Sequence, residues 1–236
     1  MREKNWTVLI SPYYNDNITD KPREIDIIAE KGFNVMEFPS FRKYLGTLWV
    51  RLFIECKYIH KEIAFWFDNK DEESAIKRIM KDTSLKHPDE NVFIKEHHYY
   101  TSKEVAKLSA SGSDKSPDKE IIYKALNQSL NAMVYYKSSP SAILAKRSGR
   151  ALRIVNYPLI LCNSFDKLYR VNSEKEEGYS QIDKNFQLEV NYAYLDKDKN
   201  SKSDYFLIDI VEFNQFDEFL TMLEKTDIKA IKNSLS

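Results

Sequence analysis

Cysteine is scarce, net charge is absent, and no long apolar run interrupts the chain. Only Cys56 and Cys162 occur in 236 residues. Neither lies in a C-x-x-C pair, which argues against a disulfide framework or a zinc ribbon and fits a reducing compartment. Lys plus Arg number 36 and Asp plus Glu number 36, so no overall field draws the molecule to nucleic acid or membrane, and any basic surface has to be local. The opening MREKNWTVLI holds no apolar stretch of signal-peptide length, and no run of about 18 apolar residues occurs. No internal repeat is visible. The expectation is a soluble, cytoplasmic protein with enough chain for a sizeable core.

What is present is an alternation of strand and helix patterns. WTVLISPYY (6–14) and REIDIIAE (23–30), separated by turn residues, read as a hairpin. After a Gly- and Pro-punctuated loop, TLWVRLFIECKY (47–58) is a third strand and AFWF a short fourth. NKDEESAIKRIMKD reads as a helix, with Asp71, Glu72 and Glu73 at its positive end and Ala75, Ile76, Ile79 and Met80 as its apolar stripe. VFIKE (92–96) reads as a short strand. TSKEVAKLSA, with a hydroxyl and then Glu104, reads as a capped helix. SGSDKSPDK (111–119) is linker-like, and Ile122, Leu126, Leu130 and Met133 mark a helix over roughly 119–137. Strands follow in ALRIVNYPLILCN, FDKLYRV, NFQLEVNYAY and YFLIDIVEF, and a helix with Phe216, Phe219, Leu220 and Leu223 on one face closes the chain. The fold class is α/β with a β-rich C-terminal half. Segment 111–236 is expected to pack on the core formed by 1–110 as one domain.

One strand carries an anomaly. RLFIECKY reads as buried, yet it holds Glu55 and Lys57 on one face, with Ile54 and Cys56 on the other. In REIDI the same alternation puts Glu24 and Asp26 together. If the two strands are neighbours, Asp26, Glu55 and Lys57 converge. Paired carboxylates repel unless a cation sits between them, and their hard oxygens suit Mg²⁺ or Mn²⁺. Lys57 beside that cation is placed to orient a water or to stabilise charge on a phosphate.

The strand-borne "REID", followed one loop later by "IECK", resembles the PD-(D/E)xK nuclease superfamily. Asp26 matches its first acid, and Glu55-Cys56-Lys57 match its E-x-K motif. VFIKEHHYYTSKEVAKLS also resembles the strand-helix unit of Mrr-like members. Ile25 stands where the motif has Pro, and Glu3 is the only acid ahead of the first strand. The resemblance covers roughly residues 1–110. It implies a restriction-endonuclease-like mixed central sheet flanked by helices, and a metal-dependent phosphodiesterase cleaving nucleic acid, DNA foremost. Asp26, Glu55 and Lys57 would be catalytic. Asp26, Glu55 and the Cys56 carbonyl would hold Mg²⁺ (or Mn²⁺), with Glu24 as an additional or supporting ligand. A homodimer or larger nuclease assembly is compatible with it. The alternative is an inactive protein of the same fold that binds nucleic acid or another protein.

Other features weigh less. Cys56 itself reads as a small core residue rather than a nucleophile. His97 and His98 are expected at the surface or a substrate edge, because His60 and His87 add no zinc spacing. DKDKNSKSD (196–204) begins like a calcium loop but has Ser201 where Gly is needed and Leu207 where Glu is needed, so a polar turn is expected. Lys146, Arg147, Arg150 and Arg153 form the densest cationic cluster and are the candidate nucleic-acid contacts. Arg42 and Lys43 are a second choice.

Overall fold

The computed structural model describes residues 1–37, 43–90, 92–111, 119–137, 151–172, 178–196 and 198–236. Its first strands are β1 (Thr7–Ile10), β2 (Tyr13–Asn15), β3 (Pro22–Glu24), β4 (Ile27–Met36), β5 (Tyr44–Lys57) and β6 (Ile63–Asn69), followed by α1 (Glu72–Thr83). A 3-10 turn at Val92–Glu96 and the one-turn α2 (His98–Thr101) lead into β7 (Glu104–Ser111) and α3 (Lys119–Lys137). Then come β8 (Ala151–Cys162), β9 (Leu168–Asn172), β10 (Tyr179–Gln181), β11 (Phe186–Leu195) and β12 (Ser201–Glu212). The C-terminal helix is α4 (Phe216–Leu223), a π-helical turn at Glu224–Ile228, and α5 (Lys229–Leu235).

Ten strands form one mixed sheet in the order β1-β4-β5-β8-β12-β11-β7-β6-β9-β10, while β2 and β3 pair separately. β4 is antiparallel to β1 and β5, whereas β5–β8 and β8–β12 are parallel. Strands from 1–110 and from 111–236 therefore interleave: β8 lies beside β5 and β11 beside β7. One apolar cluster joins Leu48, Val50, Leu52 and Ile54 to α1, α4 and α5. The second joins Phe53, Ile160, Ile208 and Ile210 to α3. The sheet is covered on both faces, which is why β5 and β8 are near-continuous apolar runs.

The expected α1 forms as its caps dictate. Asp71 accepts the Ser74 N–H at 3.0 Å, and Ser84 ends the helix in the left-handed region at φ 64. Two expectations fail. VFIKE is a 3-10 turn with Ile94 buried beneath it, and in TSKEVAKLSA the residues from Glu104 on form strand β7, not a capped helix. β6 offers β7 an antiparallel partner from Asn69↔Glu104 to Ile63↔Ser111, and that ladder outweighs the local capping pattern. The likeness to a strand-helix unit fails with it.

α3 is spliced into the sheet. Leu159 N–H donates to Ser129 Oγ at 3.3 Å, and that hydroxyl donates to Phe53 O at 2.8 Å. A helix side chain thus bridges β5 and β8 at the register pair Phe53↔Pro158. Ser129→Ala leaves a buried carbonyl and a buried N–H without their partner, so urea unfolding should show a loss of roughly 1–3 kcal/mol. An unchanged midpoint would show that the strands close up without the helix.

Candidate active site

Four elements meet at the end of the sheet where β5, β8 and β12 finish. Lys57 pairs with Cys162, and Cys162 with Glu212, which sets the level of that end. β4 begins there too, and the register Ile27↔Ile54 puts Asp26, one residue before β4, opposite Glu55.

Asp26 is not on a strand, contrary to expectation. The chain leaves the small β2–β3 hairpin at Ile25, whose N–H donates to Pro12 O at 3.2 Å, and turns at Asp26 to enter β4. Glu24 consequently lies on β3, opposite Tyr13, and does not share a strand face with Asp26. α3 fixes this turn from above. Gln128 Nε2 donates to Glu24 O at 3.2 Å, Tyr136 Oη donates to Tyr13 O at 2.9 Å, and the Asn131 amide carbonyl accepts from Asn17 Nδ2 at 2.8 Å.

The structure brings Asp26, Glu55 and Lys57 together. Asp26 N–H donates to Glu55 Oε1 at 3.3 Å, Cys56 N–H donates to Asp26 Oδ2 at 2.7 Å, and Lys57 Nζ lies 2.7 Å from Glu55 Oε2 and 3.9 Å from Asp26 Oδ2. Glu55 is wholly buried, while the Asp26 side chain is 40 % exposed, so the cluster opens to solvent on the Asp26 side. Burial pushes the Glu55 carboxyl up to about 7; the Lys57 hydrogen bond and charge pull it back only in part, and Asp26 adds to the rise. Cys56 is exposed at the sheet end rather than in the core. Its thiol is pushed up to about 11 by desolvation and by the Asp26 and Glu55 charges, which keeps it protonated at neutral pH.

The donor set fits a hard divalent cation. Glu55 Oε1, Glu55 Oε2 and Asp26 Oδ2 each keep a second lone pair beyond the hydrogen bond they accept. Burial raises the Glu55 carboxyl despite its bond to Lys57, and a divalent cation beside it would favour the charged form. Asp26 and Glu55 are the residues that would hold the ion.

The cationic residues lie elsewhere or outside the described residues. Arg153 pairs with Leu48, nine residues along β8 from Cys162, which is roughly 30 Å at about 3.3 Å per residue. Its guanidinium donates to Asp82 O at 3.0 Å and Lys81 O at 2.8 Å, closing the end of α1. It is a helix cap far from the carboxylates, because its strand neighbour places it at the opposite end of the sheet. Lys43 lies 3.8 Å from Glu37, near the start of β5. Lys146, Arg147, Arg150 and Arg42 fall outside the described residues. Glu3 is exposed on a 3-10 turn. Of the 196–204 stretch expected as a polar turn, Asp196 Oδ1 accepts from Asp198 N and Asn200 N at 2.9 Å between β11 and β12, and Ser201–Asp204 already belong to β12.

The histidines were misplaced by sequence reasoning. His97 and His98 are buried, and the fold brings Asp209 and Asp227 to them. His98 Nδ1 lies 2.5 Å from Asp227 Oδ2, and its Nε2 lies 3.1 and 3.2 Å from the Asp209 oxygens. Burial alone would lower His98, but the two carboxylates outweigh it and hold its pKa at about 10, so it is an imidazolium. Burial pushes His97 down to about 4 against the pull of Asp227. Tyr99 N–H donates to His97 Nδ1 at 3.2 Å, which leaves the His97 hydrogen on Nε2, 3.2 Å from Asp227 Oδ2. Tyr157 Oη donates to Asp227 at 3.0 Å and Tyr99 Oη to Asp209 at 3.0 Å. His97, His98 and Asp227 are close enough for one metal ion, within 4.8 Å. Their nitrogens and carboxylate oxygens are nonetheless committed to hydrogen bonds, and the hydrogens satisfy the cluster. Asp209 inside FLIDIV was the available signal, an acid in an apolar run like Glu55 in LFIEC.

No family model, curated protein or solved structure matches this chain.

Two stability measurements follow. For Glu55, the folded pKa near 7 stands above the ordinary 4.5; its contribution is present below about 4.5 and lost as pH rises through 7. Glu55→Gln should therefore stabilise the metal-free protein at pH 8 by roughly 1–3 kcal/mol in urea, and no gain would mean Glu55 is not strained. For His98, the contribution is present below 6.5 and lost as pH rises through about 10. Asp227→Asn should cost roughly 3–5 kcal/mol at pH 7 and flatten the decline of the melting temperature above pH 7.

Proposed function

We propose that this chain is a metal-dependent nuclease of restriction-endonuclease-like fold, acting on DNA. The convergence of Asp26, Glu55 and Lys57 at the end of a central strand carries the reading. The topology supports it: a β4–β5 hairpin presents the acid and the E-x-K motif, and β5 continues in parallel to β8 after α3. An ordinary structural ion pair gives no reason to bury a carboxylate beside a second one at a solvent-facing strand end.

Asp26 and Glu55 would hold the cation, and Lys57 holds a positive charge next to both. A divalent ion bound there would supply a water of lowered pKa and would polarise a phosphate oxygen. Lys57 Nζ, tethered to Glu55, is directed at the space beside Asp26, where it stabilises charge developing on the phosphate and orients the attacking water. The Cys56 N–H keeps Asp26 Oδ2 in place. Burial of Glu55 on the sheet side keeps the carboxylates in one orientation.

The test is incubation with plasmid, single-stranded DNA and RNA in Mg²⁺, Mn²⁺ or EDTA. Cleavage is expected with either metal and none in EDTA. Lys57→Ala should lower the rate by roughly 10²-fold or more with an unchanged circular dichroism spectrum. Undiminished cleavage by that variant would remove Lys57 from the mechanism. A folded protein that neither cleaves nor binds Mn²⁺ would point to the inactive alternative.

A further inference from the structure

The ten-stranded sheet is split between β7 and β11. These parallel neighbours pair at one position, Leu188↔Ala106. Beyond it, among the described residues, β11 pairs only with β12 and β7 only with β6. At the same place the β6–β7 register shifts between Trp66 and Phe67, leaving Lys107 as the extra residue, a bulge of the kind that bends a strand. Lys107 then reaches back to Glu189 at 2.7 Å and closes the narrow end of the wedge.

A cavity of about 800 Å³ fills the opening. It is bounded by the diverging strands, by α3 and by the turn carrying Ile18. Three large apolar side chains on its walls face solvent: Ile18 is 61 % exposed, Leu108 60 % and Tyr123 65 %. Leu126, Val190 and Tyr192 line it further in.

We infer that this cleft is a docking site for an extended segment of a partner protein, which adds as a strand to the open edge of β11. Two features select that occupant. Among the described residues the walls carry strand backbone without a ladder partner on the cleft side, so a strand satisfies both the main-chain groups and, through alternate residues, the apolar positions. The charged residues of the lining are Asp16, Lys107 and Glu189, with the single cation already paired, so a polyanion finds no counter-charge there. The segment that fits is uncharged, with an apolar or aromatic residue at every second position. The site is separate from Asp26, Glu55 and Lys57 and does not rest on the nuclease reading.

The experiment selects displayed random peptides of roughly strand length, about ten residues, against the full chain, and measures the best synthetic peptides by fluorescence anisotropy. Leu108 and Tyr123 are exposed, so Leu108→Lys and Tyr123→Ala test the walls without disturbing the fold. Each should weaken binding roughly tenfold or more. N-methylation of alternate peptide amides should abolish binding, and bound peptide should slow amide exchange over 189–195. The proposal is overturned if no peptide shows Leu108-dependent binding, or if N-methylation at every register leaves affinity unchanged. Self-association lost in Leu108→Lys would also overturn it, by making a second copy of the chain the occupant.

Discussion

The parallel pairing of β5 with β8 is the contact on which the rest depends. It brings a strand from the first half of the chain against one from the second, through eleven register positions from Thr47↔Ala151 to Lys57↔Cys162. Without it the β4–β5 hairpin has no partner on its inner edge, and α3 has nothing to lie across. Ser129 shows how closely helix and sheet are built together, since its hydroxyl stands within the ladder itself. Because α3 also grips the β2–β3 hairpin through Gln128 and Tyr136, one helix positions both Glu55 and the turn at Asp26.

That arrangement holds a carboxylate in an unfavourable place. Glu55 lies at the end of an apolar strand, with Asp26 N–H and Lys57 as its two partners, and burial outweighs them. Such a group is relieved either by a proton or by a cation of higher charge. On the proposed reading, its strain and its chemical use would have the same origin, a negative charge kept from water in a fixed orientation.

On the opposite face of the sheet, buried charge is handled differently. His98 sits between Asp227 and Asp209 with a hydrogen toward each, and Tyr99 and Tyr157 donate to the same carboxylates. Asp227 belongs to the π-helical turn between α4 and α5, so the network ties the C-terminal helix to α2 and to β8. The wide turn lets one acid reach inward from a helix whose other buried residues are apolar. Here the donors meet acceptors, and the cluster acts as a fastening.

The α/β class, the strands flanking Glu55, the helices at 72–83 and 119–137, and the presence of charged residues where only apolar ones would be neutral are all readable from the chain alone. These follow from local pattern: period two, period 3.6, caps, and an acid inside a buried run. Sequence reasoning failed for 92–111, because a partner strand overrode a capping pattern, and for His97 and His98, because their partners lie more than a hundred residues away on β12 and in the C-terminal helix. It paired Glu24 with Asp26 because alternation assumes an unbroken strand, and the chain changes sheets between them. Arg153 was read by composition as a phosphate contact, but strand direction puts it at the other end of the sheet. Which charged groups meet, and at which end of which strand, was decided only by the tertiary structure, since register and strand order join residues that no local pattern relates.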